Sequence, residues 1–346
     1  MRSSLRPLRP TRQPSARPGR PPRSRAALLG TLLGLAPLLV AAGPEAHLKP
    51  VVLEQDEYAE SFTFIADLDD GTYVQLQLAV TNLGPGERTG ACRALVARPD
   101  KPVWTENKRF DHDEWRHLKK PGVERLEVGP CSVESGAGTE VKVVLAEARV
   151  TLSFPKPLAP VAPPSDTLTI GKRQHRTWLL QPFTRVRAAL ALPGQSPLEL
   201  SGGGYADHSR GNVATKSLAR RWLRFRGLRG EPRVLLLARE SIEGGFDPAW
   251  IWIEGSAPRP FERFSLARTG TKKAPGWTAA LSGSLEAQLS STSLLYRYAP
   301  VEELGALGWL VSPVVGSPVT YTHRAELKLQ GRAPLSGILE VSLLED

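Results

Sequence analysis

Residues 201–211 read SGGGYADHSRG, and residues 220–227 read RRWLRFRG. The first stretch sets three glycines beside a tyrosine, an aspartate and a histidine; the second sets aromatic rings among arginines. An aspartate taken out of water needs a donor or acquires a raised pKa, so Asp207 next to Tyr205 is a candidate proton donor to an apolar substrate. The competing role is structural, with Asp207 bonding backbone amides to hold the glycine turn. Asp207, His208 and Ser209 carry the letters of a hydrolytic triad, but neighbours on a strand point to opposite faces and a triad must converge. A phosphate cradle fails as well: GxGxxG needs a glycine where Asp207 stands, and no helix pattern follows to aim amides at phosphate.

On an extended chain Tyr205, Asp207 and Ser209 share one side, and Ala206, His208 and Arg210 the other. Trp222, Arg224 and Arg226 likewise oppose Arg221, Leu223 and Phe225. A guanidinium stacked on Trp222 would suit a carboxylate or phosphate headgroup, although a solvated outer face writes the same letters. Trp250 and Trp252 in AWIWIEG share a side and fit either a pocket wall or a core. His112 and His117 in FDHDEWRHL are an odd number apart, so they diverge on a strand, and no second cluster adds ligands. Neither metal nor cofactor is expected.

Strand signals surround these stretches. SFTFIADL and TYVQLQLAVTN alternate apolar with polar residues across the turn-forming DDG, the pattern of a hairpin. The same period of two recurs in VKVVLAEARVTLSF, TRVRAALAL, PRVLLLARE, HRAELKLQG and SGILEVSLL. The segment VEELGALGWL (301–310) predicts a short helix stopped by Pro313. Many strands and few helices predict an all-β fold of sandwiches or barrels. Two boundaries compete: the proline-rich FPKPLAPVAPPSD (154–166) and LPGQSP (192–197), which divides the chain more equally and is preferred on size.

The chain has 45 basic and 35 acidic residues, a formal +10. Eight of the arginines precede residue 26 and no acidic residue precedes Glu45, so setting those eight aside leaves +2. Such a body excludes nucleic acid as the expected partner. The arginines lead into AALLGTLLGLAPLLVAAG (26–43), the layout of a secretory signal, with small-residue positions Val40 and Ala42 before Gly43. Residues 1–42 are therefore expected to be a cleaved signal and the protein periplasmic or secreted; an uncleaved membrane anchor is the alternative. Cys92 and Cys131 then form either one disulfide or two separate buried thiols.

Taken in order, GGGYADHSRG, RWLRFRGL and LSGILEVSLLE, with ESFTFIADLDDGTYVQLQLAVTNLG near the mature start, resemble the fungal survival-factor family. That family is a branch of the AttH and hydroxyneurosporene synthase (CrtC) group of lipocalin-like proteins. The resemblance spans most of residues 57–346, and the central motif is its specific part. It implies two tandem lipocalin-like antiparallel β-barrels with few short helices, at 43–194 and 195–346, the second carrying GGGYADH near their junction. It implies a lipid or isoprenoid as ligand, carried or chemically transformed; transient membrane contact is a separate expectation for a protein with such a ligand. Gly202, Gly204, Tyr205, Asp207 and His208 match the motif, whereas Ser209 and Arg210 stand where the enzyme branch typically has Asn and Trp. An arginine there would repel a developing cation, which weakens the case for hydration chemistry.

The leading expectation is a lipid-binding protein whose pocket has Tyr205, Asp207 and His208 at its polar end, Trp222 and Trp252 as walls and Arg224 as headgroup contact. The alternative is a hydratase, isomerase or cyclase of terpenoids or polyenes, with Asp207 as acid oriented by His208 or Tyr205.

Overall fold

The computed structural model describes residues 47–83, 86–242, 246–271, 275–303 and 318–344. The leader, its cleavage point at Gly43 and most of the 301–310 helix lie outside these residues. Among them, two antiparallel sheets hold nearly all of the regular structure. The first comprises β1 (Ala59–Leu68), β2 (Tyr73–Thr81), β3 (Thr89–Ala97), β4 (Trp104–Phe110), β5 (Trp115–Lys120) and β6 (Val123–Val128). It continues through β7 (Cys131–Ser135), β8 (Thr139–Leu145), β9 (Ala148–Phe154), β10 (Thr167–Ile170), β11 (Arg173–Ala191) and β12 (Leu198–Gly211). The second comprises β13 (Arg221–Gly227), β14 (Val234–Glu240), β15 (Phe246–Ile253), β16 (Arg259–Phe261) and β17 (Arg263–Gly270). It ends with β18 (Pro275–Ser282), β19 (Ala287–Tyr298), β20 (Pro318–Leu329) and β21 (Leu335–Leu344). Two short helices, α1 (Thr215–Leu218) and α2 (Pro300–Glu303), interrupt this pattern.

Each sheet leaves and returns along the chain. The first runs β4-β3-β2-β1-β12-β11-β9-β8-β7-β6-β5, with β10 attached to β11, and the second runs β16-β15-β14-β13-β21-β20-β19-β18-β17. The two ends of each path are consecutive strands, so each sheet curls round to its own beginning and makes a nearly closed barrel. At the first seam the Trp115 indole N–H donates to the Arg88 carbonyl at 2.7 Å. The expected all-β pair of barrels is what the chain forms.

The expected division at 194/195 is corrected by the pairing. LPGQSP is the turn of a hairpin that sets Leu190 opposite Leu198, and β12 goes on to pair with β1 from Gly202 to Gly211. The GGGYADH segment therefore belongs to the first sheet, and the second begins at Arg221. Proline and glycine punctuate tight turns and linkers alike, so composition alone favoured a boundary there. FPKPLAPVAPPSD is a strap lying against the first barrel. The Gln181 amide donates to the carbonyls of Lys156 and Pro157 at 2.7 and 3.1 Å, and Val161 pairs with Leu179.

Apolar side chains fill both barrels. Phe62, Phe64, Leu76, Leu126 and Val150 lie in the first interior, and Leu223, Phe225, Ile251, Trp277 and Leu327 in the second. Cys92 on β3 and Cys131 on β7 are bonded as a disulfide across the first barrel, with Cα atoms 6.5 Å apart. A third apolar cluster joins the outer faces of the two sheets: Ile65, Tyr73, Leu95 and Tyr205 meet Leu235, Trp250 and Ile338. This contact explains why seven consecutive residues at the end of β1 are buried, because one face of that strand looks into its barrel and the other under its neighbour.

Candidate functional site

A cleft opens along this seam between the sheets. It is a narrow slot that encloses about 700 Å³ when its solvent-open mouth is counted. Pro163, Pro164 and Asp166 of the strap form one lip, and Leu179, Leu235, Leu237 and Trp250 supply apolar wall. Two neighbouring strands of each sheet supply most of its polar side: His175 from β11, Tyr205 and Asp207 from β12, Trp222, Arg224 and Arg226 from β13, and Arg239 from β14.

Alternation along β12 and β13 decides who enters. Ala206 belongs to the first barrel's interior, so Tyr205 and Asp207 face outward into the cleft. Leu223 and Phe225 belong to the second interior, so Trp222, Arg224 and Arg226 face back toward them. Arg226 is the hub. Its guanidinium is hydrogen-bonded to the Glu340 carboxylate, lies 3.8 Å from Asp207 and sits 4.6 Å from the Tyr205 ring centre. Burial would lower the Arg226 pKa, but Glu340, Tyr205 and Asp207 raise it above its ordinary value. Burial alone would raise Glu340, yet Arg226 and Arg224 outweigh it and hold the carboxyl below its usual range. Burial, and next the charge of Asp207, push the Tyr205 hydroxyl well up, and that hydroxyl hydrogen-bonds Asp207.

The upper end of the slot is cationic. The Arg224 guanidinium lies 4.0 Å over the Trp222 ring, and that of Arg239 is 5.9 Å from it. His175 meets Trp222 edge-on at 5.8 Å, and burial together with Arg224 and Arg239 pushes it down to about 4. It is a neutral imidazole at physiological pH.

Of the six residues expected at the site, Tyr205, Asp207, Trp222 and Arg224 line the cleft. His208 does not: it faces the first barrel's interior, stacked between Phe62 at 4.3 Å and Trp178 at 4.9 Å, with Nε2 2.7 Å from Glu60. That Glu60 carboxylate, fully buried, also accepts from the Tyr58 hydroxyl at 2.8 Å and the Val51 amide at 2.9 Å. Trp252 packs edge-on against Phe183 at 5.5 Å and donates to the Ser256 carbonyl at 3.0 Å; its neighbour Trp250 takes the cleft position. Arg210 lies on the side of β12 opposite Asp207, where the alternation placed it, 5.2 Å from the Trp178 ring, so its charge does not face the cleft. The cations that line Asp207's cleft are Arg224, Arg226 and Arg239. His175, Glu340 and Arg239 went unseen in the sequence, because each arrives through strand pairing and has no local motif. His117, excluded as a metal ligand, is 2.8 Å from Glu124.

No protein-family model and no curated protein matches the chain. Solved structures share its fold. An AttH protein from Nitrosomonas europaea superposes with a TM-score of 0.58 at 11% identity, over 83% of this chain and 92% of that one. Kievitone hydratase from Nectria haematococca gives 0.53 at 12% identity, over 83% and 89%. CghA, determined with Sch210972, gives 0.55 at 10% identity, over 84% and 89%. The architecture is thus that of AttH-like proteins, a tandem of lipocalin-like barrels. At such identities the likeness establishes the fold alone.

Proposed function

We propose that this protein binds a hydrophobic ligand, a lipid or isoprenoid, in the cleft between its barrels, and that it works outside the cytoplasm. The observation that carries the reading is the slot itself: side chains fill both barrel interiors, while the space beside Tyr205 and Asp207 has apolar walls and a polar end. The Cys92–Cys131 disulfide and the leader both favour an exported protein. Val161 and Ile170, exposed within two residues of cleft-lining Pro163 and Leu168, favour transient membrane contact during loading. Kinship to the survival-factor branch rests on the sequence motifs and agrees with carriage.

Organic extraction of the purified protein followed by mass spectrometry tests this. Recovery of one stoichiometric apolar compound is expected, and protein that is consistently empty and ignores fluorescent lipid probes overturns it.

An enzymatic reading has one observation in its favour: Asp207 stands at the cleft with Tyr205 as partner, in a fold shared with a hydratase. Against it, Arg226 at 3.8 Å and Arg224 on the same face oppose any cationic intermediate beside Asp207. Asp207→Asn separates the two. A binder keeps its ligand within about tenfold, whereas loss of a general acid cuts turnover by about 100-fold or more while binding persists.

A further inference from the structure

The polar end of the slot holds two unused donors, and they define what the guest must carry. Arg226 is committed to Glu340 and Asp207, and Asp166 on the lip is committed to Arg176 at 2.8 Å. Arg224 differs: among the described residues it makes no hydrogen bond or ion pair, and its contact is the face of Trp222 at 4.0 Å. Glu340 lies directly across from it on β21, but that carboxylate is turned to Arg226. The Trp222 indole nitrogen is buried and, among the described residues, also has no acceptor. A guanidinium stacked on a ring keeps its N–H edge for an acceptor, and a buried N–H left unmet costs stability. Nearby His175 is uncharged, so it adds no positive charge of its own to the field of Arg224 and Arg239.

We propose that the guest is an amphiphile ending in an oxyanion, a carboxylate or phosphate monoester, seated by Arg224 and the Trp222 N–H. This rests on the cleft-binding reading above. A neutral polyene would leave both donors unmet, and a cationic lipid would meet like charge. An apolar body then runs along Leu179, Leu235 and Trp250.

The test uses cis-parinaric acid and its methyl ester, followed by their fluorescence, at neutral pH. The wild-type protein is expected to bind the acid at least about tenfold more tightly than the ester. Arg224→Gln breaks no ion pair in the fold, so circular dichroism should be unchanged. It should weaken the acid about ten- to a hundredfold and leave the ester as it was. Arg224→Lys, which keeps the charge, should retain most of the preference, and Trp222→Phe should lose a few-fold. Equal binding of acid and ester by the wild type overturns the oxyanion seat while leaving cleft binding intact; binding of neither overturns both. A variant that weakens acid and ester alike also refutes the seat. Dodecyl phosphate should bind far more tightly than inorganic phosphate, and equal binding would make the seat one for a free anion and refute the amphiphile.

Discussion

At the scale of residues, the site turns on where a buried cation finds its counter-charge. Arg226 and Glu340 are both buried, at 3% and 5% exposure, and each satisfies the other. Removing one partner leaves the other charged and dry, which costs far more than the pair contributes. Arg226→Met should therefore destabilise the protein by about 3–5 kcal/mol, whereas Arg226→Met with Glu340→Leu should regain part of that loss, because Asp207 still loses the cation 3.8 Å away. Urea midpoints of the two single variants and the double variant measure it. If the double variant is as unstable as the sum of the singles, the pair does not compensate itself in this way.

At the scale of elements, β12 decides how closely the sheets approach. A Cβ on Gly203 would meet the Leu228 carbonyl oxygen at 2.0 Å, so only glycine lets the second sheet's first loop lie on this strand. Gly203→Ala should cost about 1–3 kcal/mol through overpacking. Gly230→Ala, whose Cβ would meet only Leu335 at 3.9 Å, should stay within about 0.5 kcal/mol. Thermal melts compare them directly; equal behaviour would mean that the loop yields freely. This strand also shows what could be read in advance. Period-two alternation sorted Tyr205 and Asp207 from Ala206 and His208, and Trp222 from Leu223, because the pleat is local and a residue's side follows from counting. What the faces look at is not local. His208 was on its foreseen side, but that side proved to be a packed interior beside Glu60, and Trp252 shares a face with Trp250 yet stands against Phe183. LPGQSP misled because a hairpin turn and a linker draw on the same residues. Glu340 enters by pairing with β13 more than a hundred positions away, a register that no single segment encodes.

At the scale of the molecule, contacts through the seam make the two barrels one body. Asp67 on β1, fully buried, receives the Arg324 guanidinium of β20 at 2.6 Å and lies 3.2 Å from that of Arg229. Arg93 of β3 lies 3.5 Å over the Tyr298 ring of β19. Two histidines, one in each sheet, then report on the whole. Burial, with Arg224 and Arg239, lowers His175 to about 4, and burial lowers His323 to about 4. Each is neutral when folded, but its unfolded counterpart gains a proton as pH falls through about 6.5. Below that value the unfolded state binds more protons, so stability is lost on acidification down to about 4 and is untouched above pH 7. The loss at pH 5 amounts to about 2 kcal/mol for each histidine. Glu340 and Glu254, both held below their ordinary values, act in the same direction but only at lower pH, below the carboxylate range. Urea midpoints should be level between pH 7 and 9 and fall between 6.5 and 5, and His175→Gln with His323→Gln should remove most of that fall. Because the seam couples the sheets, His323→Gln alone should move one common transition, seen equally by fluorescence and circular dichroism. Two separate transitions, with only one of them shifted, would mean that the barrels unfold independently and that the cleft can come apart without either barrel melting.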